Sequence, residues 1–131
     1  MKILFYLSQI ILVLVPFISF ANGVKLQTIK FADLKPRIGA KSVLVIDPRL
    51  TVFFESEHIP NAISLPLIGF NASYNKTDKK YNLKNFGLII VYCADNDCDD
   101  SEKLGCKLSE EGSGNIAIYK GWWQEWKERK K

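Results

Sequence analysis

The chain has 131 residues, of which 47% are hydrophobic, and 18 lysines and arginines against 14 aspartates and glutamates give a formal net charge of +4. This length supports one hydrophobic core of ordinary size and is too short for two domains. Part of the weak positive charge comes from the tail KERKK (127–131), where a glutamate interrupts the bases. Nucleic-acid binding needs a clustered basic face, so we expect no nucleic-acid partner.

The N-terminus has the pattern of a secretory signal peptide. Lys2 precedes a long apolar run, and the small residues Ser19 and Ala21 follow it with the spacing of an A-x-A-like cleavage site. The alternative is an uncleaved membrane anchor, but polar residues and a proline interrupt the run. We therefore predict a signal peptide over residues 1–21, a single domain over 25–131, a periplasmic or secreted location, and no stable membrane span after cleavage.

The first half of the predicted domain combines short apolar runs with one helical pattern. VKLQTI (24–29) is a candidate first strand, and FADLKPRIGA (31–40) is typical of a helix. SVLVIDP (42–48) has no polar alternation, which predicts a strand buried on both faces, and NAISLPL (61–67) is a shorter strand candidate. The polar stretch 68–86 shows no clear period, so we predict a surface loop there.

The second half repeats the alternation of strand and helix. GLIIVYC (87–93) and NIAIYKG (115–121) are predicted strands. DDSEKLGCKLSEEG (99–112) is predicted as a helix that stops at its final glycine, and GWWQEWKERKK (121–131) as a closing helix. Strands and helices that alternate at this spacing predict an α/β fold with a mostly parallel sheet.

Cys93 stands at the end of the most apolar predicted strand. In parallel sheets, ligands bind beyond the carboxyl ends of the strands. If a helix begins near Asp99 to Ser101, the loop after Cys93 lies over the N-terminus of that helix. The free N–H groups and the positive dipole end there favour a thiolate or a bound anion. This placement makes Cys93 a candidate nucleophile.

Four motifs resemble the rhodanese (thiosulfate sulfurtransferase) family in order and spacing. That family has an Asp-x-Arg motif, a Gly-His-Ile-Pro-Gly-Ala-like turn, an apolar strand ending in the active-site cysteine, and a closing Gly-Gly-x-x-x-Trp helix. The matching stretches here are VLVIDPR (43–49), EHIPNAISLP (57–66), LIIVYC (88–93) and NIAIYKGWWQEW (115–126). The resemblance implies a rhodanese-like fold, with a central, mostly parallel five-stranded sheet and helices on both faces.

The resemblance also assigns roles within the site. It implies that Cys93 accepts sulfur and holds it as a persulfide, passing it to a thiol or cyanide acceptor. Asp47 and Arg49 support the site or form a structural ion pair, and His58 organises its turn rather than touching substrate. The donor is a small molecule or a protein, and neither a metal nor an organic cofactor is required. The loop around the persulfide comprises Ala94, Asp95, Asn96, Asp97, Cys98, Asp99, Asp100 and Ser101.

Two departures from the family pattern bear on these roles. Relatives active on thiosulfate often carry a glycine and a base after the cysteine, whereas the loop here has five carboxylates and no base before Lys103. Nearby carboxylates raise the pKa of a thiol and repel an anionic donor, so we expect thiosulfate to be a poor donor. Asp99 or Asp100 can instead cap the following helix. Glu57 and Asn61 replace the two glycines of the turn.

Three alternatives are open for Cys98. We expect a free loop thiol, but a turn can also bring Cys93 and Cys98 close enough for a disulfide, whose Cα atoms are about 4.4–6.8 Å apart. Metal binding by both cysteines and an aspartate is disfavoured because the chain lacks a second C-x-x-C or a histidine pair. An odd number of cysteines leaves at least one unpaired, and we predict that Cys106 packs in the core.

Three functions fit these observations. The first is an exported sulfurtransferase that acts through a persulfide on Cys93. The second is a catalytically weak binding module that keeps the rhodanese shape, with its acidic loop against a basic partner. The third is a redox protein that uses Cys93 and Cys98, although thioredoxin-like motifs have the closer spacing C-x-x-C.

Overall fold

The computed structural model of the protein describes residues 26–130, so the predicted signal peptide lies outside the described residues. None of the helices in this range has the length and apolar content needed to cross a membrane. Two short 3-10 turns lie at Lys35–Arg37 and Leu83–Asn85. The strands and α-helices are, in chain order, β1 (Gln27–Ile29), α1 (Phe31–Leu34), β2 (Val43–Asp47), α2 (Thr51–Ser56), β3 (Ala62–Ser64), α3 (Phe70–Tyr81), β4 (Leu88–Val91), α4 (Asp100–Glu110), β5 (Ile116–Tyr119) and α5 (Trp122–Arg129).

The strands form one five-stranded sheet in the order β1-β5-β4-β2-β3, and every neighbouring pair is parallel. The register pairs Val45 with Ile90 and Ile90 with Ala117, so the three central strands are level with one another. The α/β fold with a five-stranded parallel sheet is thus confirmed. Because all strands run the same way, the carboxyl ends of β2, β4 and β5 meet at one edge, where Cys93 follows β4.

Successive strand residues face opposite sides of the sheet and build two separate cores. On one side α1 and α5 cover Val45, Ile90 and Ala117, and on the other side α3 and α4 cover the intervening residues. Four central residues of β4 and β5 face α3 and α4, and each is at most 4% exposed to solvent: Ile89, Val91, Ile116 and Ile118. Burial on both faces explains why β2, β4 and β5 lack polar alternation.

The prediction of a surface loop over residues 68–86 is wrong, because most of this stretch is helix α3. Phe70 and Tyr74 lie one turn apart and are buried against the sheet, whereas the rest of the helix is largely polar and exposed. Two apolar positions are too few to show a helical period in the sequence. Asn82 ends the helix in the left-handed conformation, at φ 54°, a conformation that asparagine tolerates better than most residues.

The first helices also differ from the expectation. The helical pattern over 31–40 gives only one turn of α-helix followed by a 3-10 turn, because Pro36 lacks an N–H group and disfavours helical geometry in the residue before it. Helix α2 was not predicted. None of its side chains is fully buried, and only Phe54 packs against the core, so its sequence has no amphipathic pattern.

Candidate active site

Cys93 lies two residues beyond the end of β4 and is completely buried. The first turn of α5 holds the backbone there. The N–H of Trp123 donates to the carbonyl of Cys93 at 2.8 Å, and the N–H of Gln124 donates to the carbonyl of Ala94 at 3.3 Å. Two central strands therefore place the sulfur, since β4 leads into Cys93 and β5 leads into the helix that binds it.

A cavity of about 350 Å³ opens beside Cys93. Three large apolar side chains in its wall are exposed to solvent: Leu50 by 45%, Phe53 by 54% and Ile68 by 73%. We call these three residues the apolar rim. Exposed apolar groups that cluster at one place often mark a contact surface. The other residues lining the cavity are Arg49, Ala94, Cys98 and Asp100.

Cys93 and Cys98 form a disulfide, with their Cα atoms 6.1 Å apart. The turn between them is held by Asp95, whose carbonyl accepts from the N–H of Cys98 at 3.2 Å and whose carboxylate accepts from the N–H of Asp97 at 3.0 Å. The expectation of a free thiol at Cys98 is therefore wrong for this state of the protein. Cys98 is half-buried, in contrast to the fully buried Cys93.

The fold brings together the two cysteines and the aspartate that a metal site would need. The two sulfurs of the disulfide and a carboxylate oxygen of Asp100 lie within 4.8 Å of one another. Metals bind cysteine as the thiolate, and neither sulfur is a thiolate in the disulfide, so only the reduced protein offers this ligand set. Cys106 is free but half-buried on α4, so the prediction that it belongs to the core is wrong.

The carboxylates after Cys93 differ in exposure and in distance from the cavity. Only Asp100 lines the cavity, whereas Asp97 and Asp99 are exposed and Asp95 serves the turn. Asp99 stands at the N-cap of α4 but makes no capping hydrogen bond, so its predicted capping role is wrong. Its carboxylate instead pairs with Lys103 at 3.0 Å on the surface.

The beginning of α4 offers donors to an anion. The first N–H groups of a helix lack intrahelical partners, and no N-cap side chain bonds them here. Ser101 in this first turn is 1% exposed, and its hydroxyl has no hydrogen-bond partner within residues 26–130. Asn96 lies on the exposed outer part of the loop. The predicted cradle therefore divides into an inner part near the helix start and an outer part in solvent.

Asp47 and Arg49 form a buried ion pair. Arg49 donates to the Asp47 carboxylate through its backbone N–H at 3.0 Å, through Nε at 2.9 and 3.0 Å, and through Nη2 at 2.7 Å. Nη2 also donates to the carbonyl of Glu57 at 2.8 Å. The guanidinium lies over the rings of Trp123 and Tyr92, at 5.3 and 5.7 Å from their centroids. The pair thus has a structural role, and Arg49 additionally lines the cavity.

Tyr92 completes this network, a role that was not predicted from the sequence. Its hydroxyl donates to Asp47 Oδ2 at 2.5 Å and accepts from the N–H of Ile59 at 3.3 Å. Because Tyr92 immediately precedes Cys93, the network anchors the approach to the nucleophile. The one available signal was a hydroxyl-bearing side chain at the end of the otherwise apolar run 88–92.

The network changes the acidity of its members. Burial raises the pKa of Tyr92 well above its usual value, and the charge of Asp47 and the hydrogen bond to it add to the increase. Burial alone lowers the pKa of Arg49, but the hydrogen bond to Asp47 and its charge, with smaller contributions from Tyr92, raise it overall. The neutral phenol and the charged guanidinium are therefore both stabilised beside the Asp47 carboxylate.

His58 is not part of the cavity wall. Its Nδ1–H donates to the carbonyl of Phe54 at 2.7 Å, and its ring stacks on the ring of Phe54 at 3.9 Å between centroids. The side chain is exposed. His58 therefore contacts the end of α2 and not the cavity, and its organising role in the turn stays a prediction from the family resemblance.

The sequence model of the family described as "Rhodanese-like domain" matches residues 30–129. The chain belongs to the rhodanese-like domain family. No curated protein sequence matches the chain significantly.

Several solved structures resemble this rhodanese-like domain. A protein from Bacillus halodurans, BH2092, is 27% identical over 79% of this chain and 73% of its own, with a TM-score of 0.69. An uncharacterised protein from Saccharomyces cerevisiae is 22% identical over 80% and 93%, with a TM-score of 0.64. The human single-domain sulfurtransferase TSTD1 is 15% identical over 80% and 98%, with a TM-score of 0.65. At such low identity the last two show a shared fold.

Two positions where the rhodanese-like pattern has glycine still adopt a positive φ here. Asn61 has φ 62° and Trp122, at the second glycine of Gly-Gly-x-x-x-Trp, has φ 54°. Glu57, at the first glycine of the turn, is extended at φ −158°, which any residue adopts. Gly121 is required for another reason, since a Cβ there would collide with the hydrogen-bonded side chains of its neighbours.

Proposed function

We propose that this rhodanese-like domain is a sulfurtransferase that carries sulfur as a persulfide on Cys93. The reduced Cys93 thiolate attacks the outer sulfur of a donor, and a thiol or cyanide acceptor then takes that sulfur. The observation that carries the proposal is the position of Cys93. It is a buried cysteine at the carboxyl end of a central parallel strand, beside a cavity and the uncapped start of α4.

The surrounding residues have separate tasks in this mechanism. Free N–H groups at the start of α4 stabilise the negative charge of the thiolate and of the persulfide. The network of Asp47, Arg49 and Tyr92 holds the chain that enters Cys93. Arg49 also contributes a positive charge to the cavity wall, and Asp100 opposes it with a negative one. The disulfide must be reduced before Cys93 can accept sulfur.

The residues at the cavity entrance favour binding of a donor or acceptor that is larger and less anionic than thiosulfate. Leu50, Phe53 and Ile68 offer apolar contact area, and Asp100 repels anions that approach the sulfur. A thiol carried on a protein segment with apolar residues and a base matches both features. A protein thiol is therefore the proposed acceptor class.

The test is a comparison of two cysteine variants after reduction. Cys93→Ser should form no persulfide and transfer no sulfur to cyanide, because it lacks the nucleophile. Cys106→Ser should match the wild type, since Cys106 lies outside the cavity. Intact mass after incubation with a donor, followed by thiocyanate measurement, gives both results. A wild type that produces no thiocyanate, together with a Cys98→Ser variant that never gains the mass of one sulfur atom, would reject the proposal and favour a binding module.

The observed disulfide supports a second candidate, a protein that exchanges dithiol and disulfide at Cys93 and Cys98. Such a protein transfers electrons without ever binding a sulfur atom. In that case Cys93→Ser and Cys98→Ser should lose reduction of a model disulfide equally, and neither variant should carry a sulfur adduct. Equal loss with no adduct would replace the sulfurtransferase proposal.

We also propose that the protein acts in the periplasm or outside the cell. The disulfide supports this location because such bonds persist in oxidising compartments. N-terminal sequencing of protein from the native host should find a chain that begins near Asn22. Recovery of intact Met1 in the membrane fraction would contradict it.

A further inference from the structure

The disulfide places a second sulfur directly on the atom that would carry the persulfide. Cys93 and Cys98 both line the cavity, and their Cα atoms are 6.1 Å apart. The turn between them is held by two hydrogen bonds to Asp95 rather than by the disulfide alone. The reduced loop can therefore keep Cys98 near Cys93 without a covalent bond.

We propose that Cys98 resolves the Cys93 persulfide within the same chain and releases the sulfane sulfur as hydrosulfide. This inference rests on the proposed function, because it needs the persulfide as its starting point. It adds a reductive activity in which the protein converts a sulfane-sulfur donor to sulfide and is itself oxidised.

The steps balance for thiosulfate as the donor. The Cys93 thiolate attacks the outer sulfur, sulfite leaves with the bonding electron pair, and the persulfide anion forms on Cys93. The Cys98 thiol then loses its proton and attacks Sγ of Cys93. The bond from Sγ to the outer sulfur breaks, and that sulfur leaves with the electron pair and the proton as hydrosulfide. The two cysteines are oxidised to the disulfide while the sulfane sulfur is reduced.

An external dithiol must then reduce the disulfide, and the burial of each cysteine determines which sulfur it attacks. Cys93 is completely buried, whereas Cys98 is half-buried, so the external thiolate reaches Cys98 first. The mixed disulfide then forms on Cys98, and Cys93 leaves as a thiolate beside the start of α4. The second thiol of the external dithiol displaces Cys98 and becomes oxidised. Cys93 is thereby regenerated in its reactive form.

The experiment uses reduced protein freed of external thiol and mixed with excess thiosulfate at high salt, which screens the acidic loop. Sulfite release reports formation of the persulfide, and sulfide release reports its resolution. Wild type and Cys106→Ser should release sulfite and sulfide in equal amounts, and each chain should lose the mass of two hydrogens. Cys98→Ser should release sulfite, retain one added sulfur atom and release sulfide only after a dithiol is added.

Each other outcome is decisive. Sulfite release from the wild type with a stable added sulfur and no sulfide would overturn the inference and leave the sulfurtransferase proposal in place. No adduct in any variant, with thiosulfate or with an organic persulfide as the donor, and no sulfite or sulfide release would reject both. Cys98→Ala serves as a second variant, and circular dichroism confirms that each variant is folded. Peptide mapping of the oxidised wild type should find the bond between Cys93 and Cys98, and a bond to Cys106 would contradict the mechanism.

Discussion

The carboxylates that follow Cys93 differ in how close they lie to the sulfur. An oxygen of Asp100 lies within 4.8 Å of it, whereas Asp97 is exposed on the outer loop. Two unit charges 4 Å apart interact by about 1 kcal/mol in water, which corresponds to about fivefold in an equilibrium constant. The repulsion of an anionic donor should therefore come mainly from Asp100.

Asp100→Asn should lower the KM for thiosulfate by about fivefold at low salt, whereas Asp97→Asn should leave it nearly unchanged. High salt should reduce the difference from wild type. The substitution also removes a negative charge from the first turn of α4, which costs about 0.3–1 kcal/mol of stability. Steady-state kinetics at two ionic strengths measure these KM values. An equal change of KM in both variants would show that the loop acts only through its net charge.

The two residues that replace glycine in the turn before β3 should respond differently to alanine. Asn61 has φ 62°, where alanine is strained, whereas Glu57 is extended. Asn61→Ala should therefore lower the free energy of unfolding by about 1 kcal/mol, and Glu57→Ala by less than about 0.5 kcal/mol. Urea unfolding measures both values. A loss at Glu57 as large as that at Asn61 would indicate that side-chain contacts, not backbone strain, govern the turn.

The end of β4 is joined to the end of β2 through Tyr92 and Asp47. Tyr92→Phe removes a buried hydrogen bond and leaves the N–H of Ile59 without its acceptor, which should destabilise the fold by about 1–3 kcal/mol. Tyr81→Phe on α3, on the other side of the sheet, is the matched control. Denaturant unfolding at neutral pH compares the two variants. An equal decrease in the free energy of unfolding would show that the network adds no stability.

The same tyrosine makes the stability sensitive to alkaline pH. Its pKa is raised in the folded protein above the ordinary value of 10.0, so the unfolded chain releases the proton first as pH rises. Stability from this group is complete below pH 10 and declines above it, by at most about 1.4 kcal/mol per pH unit. Tyr92→Phe should show a shallower decline than wild type and Tyr81→Phe. Unfolding free energies between pH 9 and 11 test this, and parallel curves would contradict it.

At the scale of the whole molecule, the cavity beside Cys93 combines the apolar rim with one carboxylate, that of Asp100. The apolar rim is built from α2 and from the segment that enters α3. Ile68→Ser and Phe53→Ser should each lower kcat/KM for a protein thiol acceptor by about tenfold, since burying a large apolar side chain contributes about 1.5–3 kcal/mol. Transfer to cyanide should be unchanged.

Val52→Ser is the matched control for the rim. Val52 is 63% exposed on the same helix but does not line the cavity. Competition between a protein thiol and cyanide in one assay separates recognition from chemistry. Equal loss with Val52→Ser, or loss with cyanide as well, would show that the effect comes from the stability of α2 rather than from contact with the acceptor.

Local patterns were sufficient to predict the five strands in order, the helices α4 and α5, and the position of Cys93 at a strand end. Continuous apolar runs such as 42–48 and 87–93 require burial on both faces, and that requirement alone predicts a parallel sheet between helices. The motif around Asp47 and Arg49 is also local, because the two residues are close in sequence. These features depend on neighbours along the chain, which a single sequence displays.

Tertiary structure decided the features that depend on distant partners or on competing local states. The hydroxyl of Tyr92 binds a carboxylate 45 positions away, and no local pattern indicates that pairing. Helix α3 is set by two buried side chains that meet the sheet, and the apolar rim exists because separate segments converge at one edge. For Cys98 the sequence allowed a free thiol or a disulfide, because both satisfy the same short loop. The folded chain selects between them by bringing the two Cα atoms to 6.1 Å, within the range of a disulfide.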